Sequence, residues 1–109
     1  MSERILIIED ETAIQSILVA LLTDAGYTTE VAGDGLEGIT KFREKPFSLV
    51  LLDILMPKID GYTVCEMIRQ ESNVPVIMLT ALDEEEAQIK AFELQADDYI
   101  TKPFSVKLV

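Results

Sequence analysis

The chain has 109 residues, 49% of them apolar, which is enough apolar material for one compact core. Twenty acidic residues against nine basic ones give a formal net charge of -11, so this chain by itself is a poor binder of a polyanion such as DNA. No apolar run approaches the roughly 20 residues of a membrane span and the N-terminus lacks a signal-peptide pattern, so we expect a soluble, cytoplasmic protein without membrane contact.

Short apolar runs alternate with amphipathic segments, a pattern typical of an α/β fold whose parallel sheet is covered by helices on both faces. The runs that predict strands are residues 5–8, 27–32, 49–52, 76–79 and 98–101. The third run is apolar throughout, as a central parallel strand should be, whereas the second alternates apolar and polar residues, as a partly solvated strand would. We therefore predict a doubly wound, five-stranded parallel sheet.

A helix is predicted after each strand. The first has apolar residues at i, i+3, i+4, i+7 and i+8, with Gly26 where a left-handed residue would end the helix. These apolar residues are Ile14, Ile17, Leu18, Leu21 and Leu22. Asp34 and Gly35 lead into a second helix that runs to Phe42, and a third helix follows the loop at residues 56–61.

The last two predicted helices depend on capping residues. Asp83 with Glu86 three residues later resembles an acidic capping box for the fourth helix. Ser105 is a suitable N-cap for a fifth helix, but only residues 106–109 follow it. The sequence therefore predicts a fifth helix that is truncated.

Charged or hydroxyl side chains follow four of the five predicted strands. Glu9 and Asp10 follow the first, Asp53 the third, Thr80 ends the fourth and Lys102 follows the last. Because the carboxyl ends of parallel strands meet at one edge of a sheet, where ligands bind in open α/β folds, we expect these groups to share one site. The chain contains no histidine, and its one cysteine, Cys65, is predicted to be a small buried residue, so a Cys/His site is excluded.

Three carboxylates in one pocket repel each other, and a hard dication with oxygen ligands is a natural way to keep them ionised. We expect Mg²⁺. A carboxylate beside that ion, Asp53, could attack phosphorus, while Lys102 and the Thr80 hydroxyl could bind phosphoryl oxygens. Each residue alone has an ordinary structural explanation, for example Asp10 as a helix N-cap, but the set at one edge favours a phosphoryl-transfer site.

Several segments of the chain carry a family resemblance. They are Ile7-Ile8-Glu9-Asp10-Glu11, Asp53-Ile54-Leu55-Met56-Pro57 with Asp60-Gly61, Thr80-Ala81, and Tyr99 with Lys102-Pro103-Phe104. Along its whole length the chain resembles a CheY-like response regulator receiver domain. From Ala96 to Phe104 it is most similar to receivers of the OmpR/PhoB class of transcription factors.

The resemblance implies a flavodoxin-like strand order of 2-1-3-4-5 and a phosphoacceptor at Asp53. It implies that Asp10 and Asp53 bind Mg²⁺ directly, Glu9 through water and Leu55 through its backbone carbonyl. The chain would then be a regulatory domain and not an enzyme, although it would assist its own Mg²⁺-dependent phosphorylation and dephosphorylation.

The resemblance also implies partners and a switch. A sensor histidine kinase would supply the phosphoryl group, which Thr80 and Lys102 would bind. Thr80 and Tyr99 would then switch the face formed by the fourth helix and the last strand, promoting a homodimer and a transcriptional output. In this class, ion pairs also join the fifth helix to the fourth-helix face, where Lys90 and Asp97 lie.

Residues 1–109 are thus expected to form one receiver domain that lacks most of its last helix, with a C-terminal DNA-binding domain absent from this chain. DNA would be contacted only through that missing domain. The alternative is a stand-alone receiver that acts by binding other proteins.

Two unrelated functions share parts of this pattern. A flavodoxin-like electron carrier needs a hydroxyl- and glycine-rich phosphate loop after the first strand, whereas Glu9-Asp10-Glu11 would repel a phosphate. A phosphatase with an aspartyl nucleophile commonly needs a second aspartate two residues later, where this chain has Leu55. Flavin absorbance or turnover of a phosphate ester would favour the respective alternative.

Overall fold

A computed structural model describes residues 3–54, 59–80, 84–93 and 96–101. Its strands are β1 (Arg4–Ile8), β2 (Thr28–Ala32), β3 (Leu49–Asp53), β4 (Val76–Thr80) and β5 (Asp98–Thr101). Its helices are α1 (Thr12–Asp24), α2 (Gly35–Glu44), α3 (Gly61–Glu71) and α4 (Glu84–Glu93). None of these helices has the length and apolar character that crossing a membrane requires. The predicted Asp83 cap and the truncated fifth helix lie outside the described residues.

The strands form one sheet in the order β2-β1-β3-β4-β5, and every neighbouring pair is parallel. The predicted α/β class, the parallel sheet and the order of the first four strands are confirmed. Chain order reverses between β1 and β3, because β2 lies on the outer side of β1. In open α/β sheets this reversal creates a crevice at the carboxyl ends of the two strands.

Side chains of the central strands alternate between two apolar cores. Leu6 and Ile8 of β1 belong to the core that α2 and α3 cover, whereas Ile5 and Ile7 belong to the core under α1. Cys65 is fully buried in the first core, as predicted, and this burial raises the pKa of its thiol. The sheet is therefore buried on both faces, which leaves its strand ends as the places for polar chemistry.

The structure confirms the predicted end of α1 and corrects other details of the predicted elements. α1 ends at Asp24 with Ala25 as its C-cap, and Gly26 follows in the left-handed region with φ of +99°, as predicted. Ile17 was assigned to the apolar face but is 38% exposed, because α1 is apolar around most of its circumference and it is Leu18 that faces the sheet. β2 begins one residue later and α2 ends two residues later than predicted, since backbone hydrogen bonds and not apolar residues set the ends of an element.

Candidate functional site

The central strands bring three carboxylates together at the carboxyl edge, the edge of the sheet where the strands end. Ile8 of β1 pairs with Leu52 of β3, so the next residues, Glu9 and Asp53, are neighbours at the end of this ladder. One carboxylate oxygen from each of Glu9, Asp10 and Asp53 lies within 4.8 Å of the other two. We call these three residues the acidic cluster. Their predicted convergence is confirmed.

Glu9 is held in place by three elements. Its side chain is fully buried, and its Oε2 accepts a hydrogen bond from the Glu11 backbone N–H at 3.0 Å. Its own N–H donates to the Ala32 carbonyl at 3.0 Å, and its carbonyl accepts from Gln15 Nε2 at 2.6 Å. β1, the end of β2 and α1 therefore fix a carboxylate whose burial costs free energy, which is the behaviour expected of a residue kept for function.

Asp53 ends β3 and is only 3% exposed. The start of α3 lies against this strand end, since the Gly61 N–H donates to the Ile54 carbonyl at 2.8 Å. A Cβ atom on Gly61 would overlap the Asp53 carbonyl oxygen, so only glycine allows α3 to begin so close to this strand end. Asp60-Gly61 is one of the motifs that carry the family resemblance, but the motif alone did not predict this packing.

Asp10 is the solvent-exposed member of the acidic cluster. The N-cap of α1 is Glu11, whose side chain makes no capping hydrogen bond, so the structural explanation of Asp10 as the cap is wrong. α1 begins directly afterwards at Thr12, and its positive dipole end partly offsets the repulsion among the carboxylates. Asp10 thus does not have this capping role, and its side chain is exposed to solvent.

The other predicted site residues are located in part. Thr80 is the last residue of β4 and pairs with Thr101 of β5, so its backbone reaches the carboxyl edge. Tyr99 lies within β5. The side chains of Thr80 and Tyr99 are outside the described part of the chain, as are Leu55 and Lys102 entirely.

A polar contact at the opposite, amino edge of the sheet was not predicted. Arg69 Nη2 donates to Asp97 Oδ2 at 2.7 Å, and the same oxygen accepts from the Val76 N–H at 2.7 Å. Arg69 Nη1 also donates to the Val74 carbonyl at 2.7 Å. The resemblance places Asp97 on the fourth-helix face. In the structure, its pair with Arg69 joins the starts of β4 and β5 to the end of α3. Contact between residues 28 positions apart left no local signal in the sequence.

Comparison with known proteins identifies relatives of this chain. Residues 5–109 match the family model described as response regulator receiver domain. "Probable transcriptional regulator ycf27" of Pyropia yezoensis is 50% identical over 105 residues, which are 96% of this chain and 43% of that protein. "Uncharacterized transcriptional regulatory protein YclJ" of Bacillus subtilis is 46% identical over 102 residues, 94% of this chain and 45% of that protein.

The solved structure of DrrB, an OmpR/PhoB homolog of Thermotoga maritima, is similar with a TM-score of 0.89 at 32% identity, covering 99% of this chain and 49% of DrrB. The chain therefore spans less than half the length of DrrB and of the two regulators.

Proposed function

The chain belongs to the response regulator receiver domain family, a family of regulatory phosphoacceptors, and from that premise we propose that it accepts a phosphoryl group on Asp53 from a sensor histidine kinase. The observation that carries the proposal is the acidic cluster, in which carboxylate oxygens of Glu9, Asp10 and Asp53 lie within 4.8 Å of one another. Such a cluster costs folding free energy through repulsion, and this cost is understandable if a cationic ligand relieves it.

The donor set fits Mg²⁺, which receiver domains generally bind and which prefers hard oxygen ligands. Asp10 and Asp53 would hold it directly and Glu9 through water, with the Leu55 backbone carbonyl as the remaining protein ligand. Bound there, the ion neutralises charge on the phosphoryl oxygens during transfer. The near-complete burial of Glu9 and Asp53 keeps bulk water from screening these charges.

In the transfer step, a carboxylate oxygen of Asp53 attacks the phosphorus of the kinase's phosphohistidine. The new O–P bond forms as the N–P bond breaks, and the imidazole leaves with that electron pair. Thr80 and Lys102 bind phosphoryl oxygens, the hydroxyl by hydrogen bonding and the ammonium by charge. The acyl phosphate then remains on Asp53 as a signal, so the domain is a regulatory phosphoacceptor and not an enzyme with a separate substrate.

Phosphorylation switches the face of α4 and β5 through Thr80 and Tyr99. The register supports this route. Asp53 on β3 pairs with Leu79, the residue before Thr80 on β4, and Thr80 pairs with Thr101 of β5, the strand that carries Tyr99. On α4, Ile89 is 54% and Phe92 87% exposed, three residues apart on the helix. Exposed apolar side chains at this spacing support a symmetric homodimer that forms on phosphorylation.

The output is transcriptional, through a DNA-binding domain that would follow residues 1–109 in the cytoplasmic protein. Support comes from the regulators ycf27 and YclJ, which are described as transcriptional and which extend well beyond the matched region. The acidic character of this chain also leaves DNA contact to another domain. The alternative, a stand-alone receiver acting through protein contacts, is favoured if the reading frame stops soon after Val109.

The direct test is intact-mass measurement after incubation with a small phosphodonor and Mg²⁺. Wild type should gain one phosphoryl group, and Asp53→Asn should gain none. Asp24→Asn, the same change at an exposed residue at the end of α1, is the matched control and should behave as wild type. Modification of Asp53→Asn to the wild-type extent would move the phosphoacceptor elsewhere.

A second test separates phosphorylation from switching. Thr80→Ala should still accept the phosphoryl group but should dimerise poorly in size-exclusion chromatography, because the hydroxyl that would follow the phosphate is gone. Its mass shift and its elution volume are measured on the same sample. Full dimerisation of phosphorylated Thr80→Ala would remove this residue from the switch.

A further inference from the structure

Tyr62 of α3 and Lys90 of α4 make a contact that the proposed phosphate chemistry does not use. Lys90 Nζ lies 5.6 Å from the centroid of the Tyr62 ring, within the distance at which a cation is attracted to an aromatic face. The same Nζ lies 3.4 Å from Glu93 Oε1 on its own helix. Lys90 therefore contacts the Tyr62 ring on α3 and, at the same time, the Glu93 carboxylate one turn away on its own helix.

The aromatic side of this contact is joined to the phosphoacceptor. Tyr62 directly follows Gly61, which packs against the Asp53 carbonyl and bonds to the Ile54 carbonyl. The Tyr62 side chain packs against buried Ile54, the residue after Asp53, and against buried Met78 of β4. A displacement of the backbone just after Asp53 must therefore move the ring or break its packing.

The other side of the contact belongs to α4. Ile89 and Phe92 on this helix are largely exposed, so these two large apolar side chains do not hold it against the domain. The Lys90 side chain is 46% exposed, so its attraction to the Tyr62 ring is weak, and a small movement of the ring changes it.

We propose that the Tyr62–Lys90 contact couples the position of α4 to the backbone around Asp53, as a second route beside the proposed Thr80 and Tyr99 switch. The inference rests on the proposed function, because the displacement it transmits is the one that phosphorylation of Asp53 produces. Tyr62 and Lys90 are positioning residues that touch neither the ion nor the phosphoryl group. When the ring moves, its attraction for Lys90 changes, and this change biases the position of α4.

Amide hydrogen exchange in α4 tests the coupling, with Mg²⁺ present and with or without a small phosphodonor. The variants Tyr62→Leu and Lys90→Met remove the contact, whereas Tyr62→Phe and Lys90→Arg keep a ring and a cation. Without phosphodonor, the two disruptive variants should exchange about two- to fivefold faster at the α4 amides, the range expected for a weak cation–π contact. The double variant Tyr62→Leu/Lys90→Met should be no faster than either single variant.

With phosphodonor, the change in α4 exchange should be at least halved in Tyr62→Leu and Lys90→Met, at equal phosphorylation by intact mass, and should be retained in the two conservative variants. A wild-type-sized change in Lys90→Met would overturn the coupling, as would additive effects in the double variant. Failure of wild type itself to take a phosphoryl group would instead overturn the proposed function, while the comparison without phosphodonor would still report on the contact.

Discussion

At the carboxyl edge of the sheet, Glu9, Asp10 and Asp53 gather three like charges within 4.8 Å. At the amino edge, Arg69 and Asp97 bring opposite charges to 2.7 Å and bind backbone groups of β4 as well. The first arrangement raises the free energy of the folded state unless a cation binds, whereas the second satisfies polar groups that the fold would otherwise bury unpaired. The first edge is where we propose that a ligand binds, and the second contributes to stability.

Ion pairs nearer the surface form a third, weaker group. Arg43 of α2 donates to both carboxylate oxygens of Glu71 on α3, and Lys45, the residue after α2, has its Nζ 2.5 Å from Oε2 of Glu30 on β2. At least one side chain of each pair is well exposed, so side-chain entropy and salt screening offset most of the attraction. Their contribution to stability should therefore be smaller than that of either edge.

The largest effect is expected at the amino edge, from Asp97→Ala. This change leaves the Arg69 guanidinium, whose side chain is only 14% exposed, and the Val76 N–H without their carboxylate. We expect a loss of about 2 kcal/mol in the free energy of unfolding, measured by urea denaturation. Asp97→Asn keeps oxygen acceptors and should lose about half as much. Wild-type stability of Asp97→Ala would show that the pair does not stabilise the fold.

A smaller effect of opposite sign is expected at the carboxyl edge, from Asp10→Asn. Two charges about 4 Å apart interact by about 4 kcal/mol at an effective dielectric near 20, and screening at this exposed residue reduces the relief to about 1 kcal/mol. The variant should therefore melt at a higher temperature than wild type in EDTA. Millimolar Mg²⁺ at constant ionic strength should raise the wild-type midpoint much more than that of the variant. A variant that is less stable in EDTA and equally stabilised by Mg²⁺ would remove Asp10 from the metal site.

The smallest effect is expected from Glu30→Gln. The hydrogen bond from Lys45 lowers the pKa of Glu30 below its usual 4.5, aided by the charges of Lys45, Lys41 and Arg4 and opposed by burial. A lowered folded-state pKa gives stability that is present above pH 4.5 and is lost as the pH falls through the folded pKa. Glu30→Gln should therefore melt about 2 °C or less below wild type at pH 7. The difference should shrink as the pH falls below 4.5, and a gap that widens in acid would contradict this assignment.

Much of the fold could be predicted because its signals are local. Period-2 and continuous apolar runs marked the strands, and Asp34 was placed at the start of α2, where its side chain accepts a hydrogen bond from the Glu37 N–H at 2.8 Å. Convergence of the acidic cluster also followed from sequence, since parallel strands end at one edge. The role of Ile17 was predicted wrongly because a helix that is apolar on most sides does not reveal which side meets the sheet.

The sequence by itself determined the element types, the parallel sheet and the identity of the residues at its carboxyl edge, because backbone geometry and strand periodicity act over a few residues. Only the tertiary structure decided the contacts between distant segments: the Arg69–Asp97 pair, the packing of Gly61 on Asp53 and the position of Lys90 over the Tyr62 ring. Each depends on side-chain shape and on the exact approach of two elements. A sequence pattern indicates which groups can pair, and the packing of the elements determines which of them do.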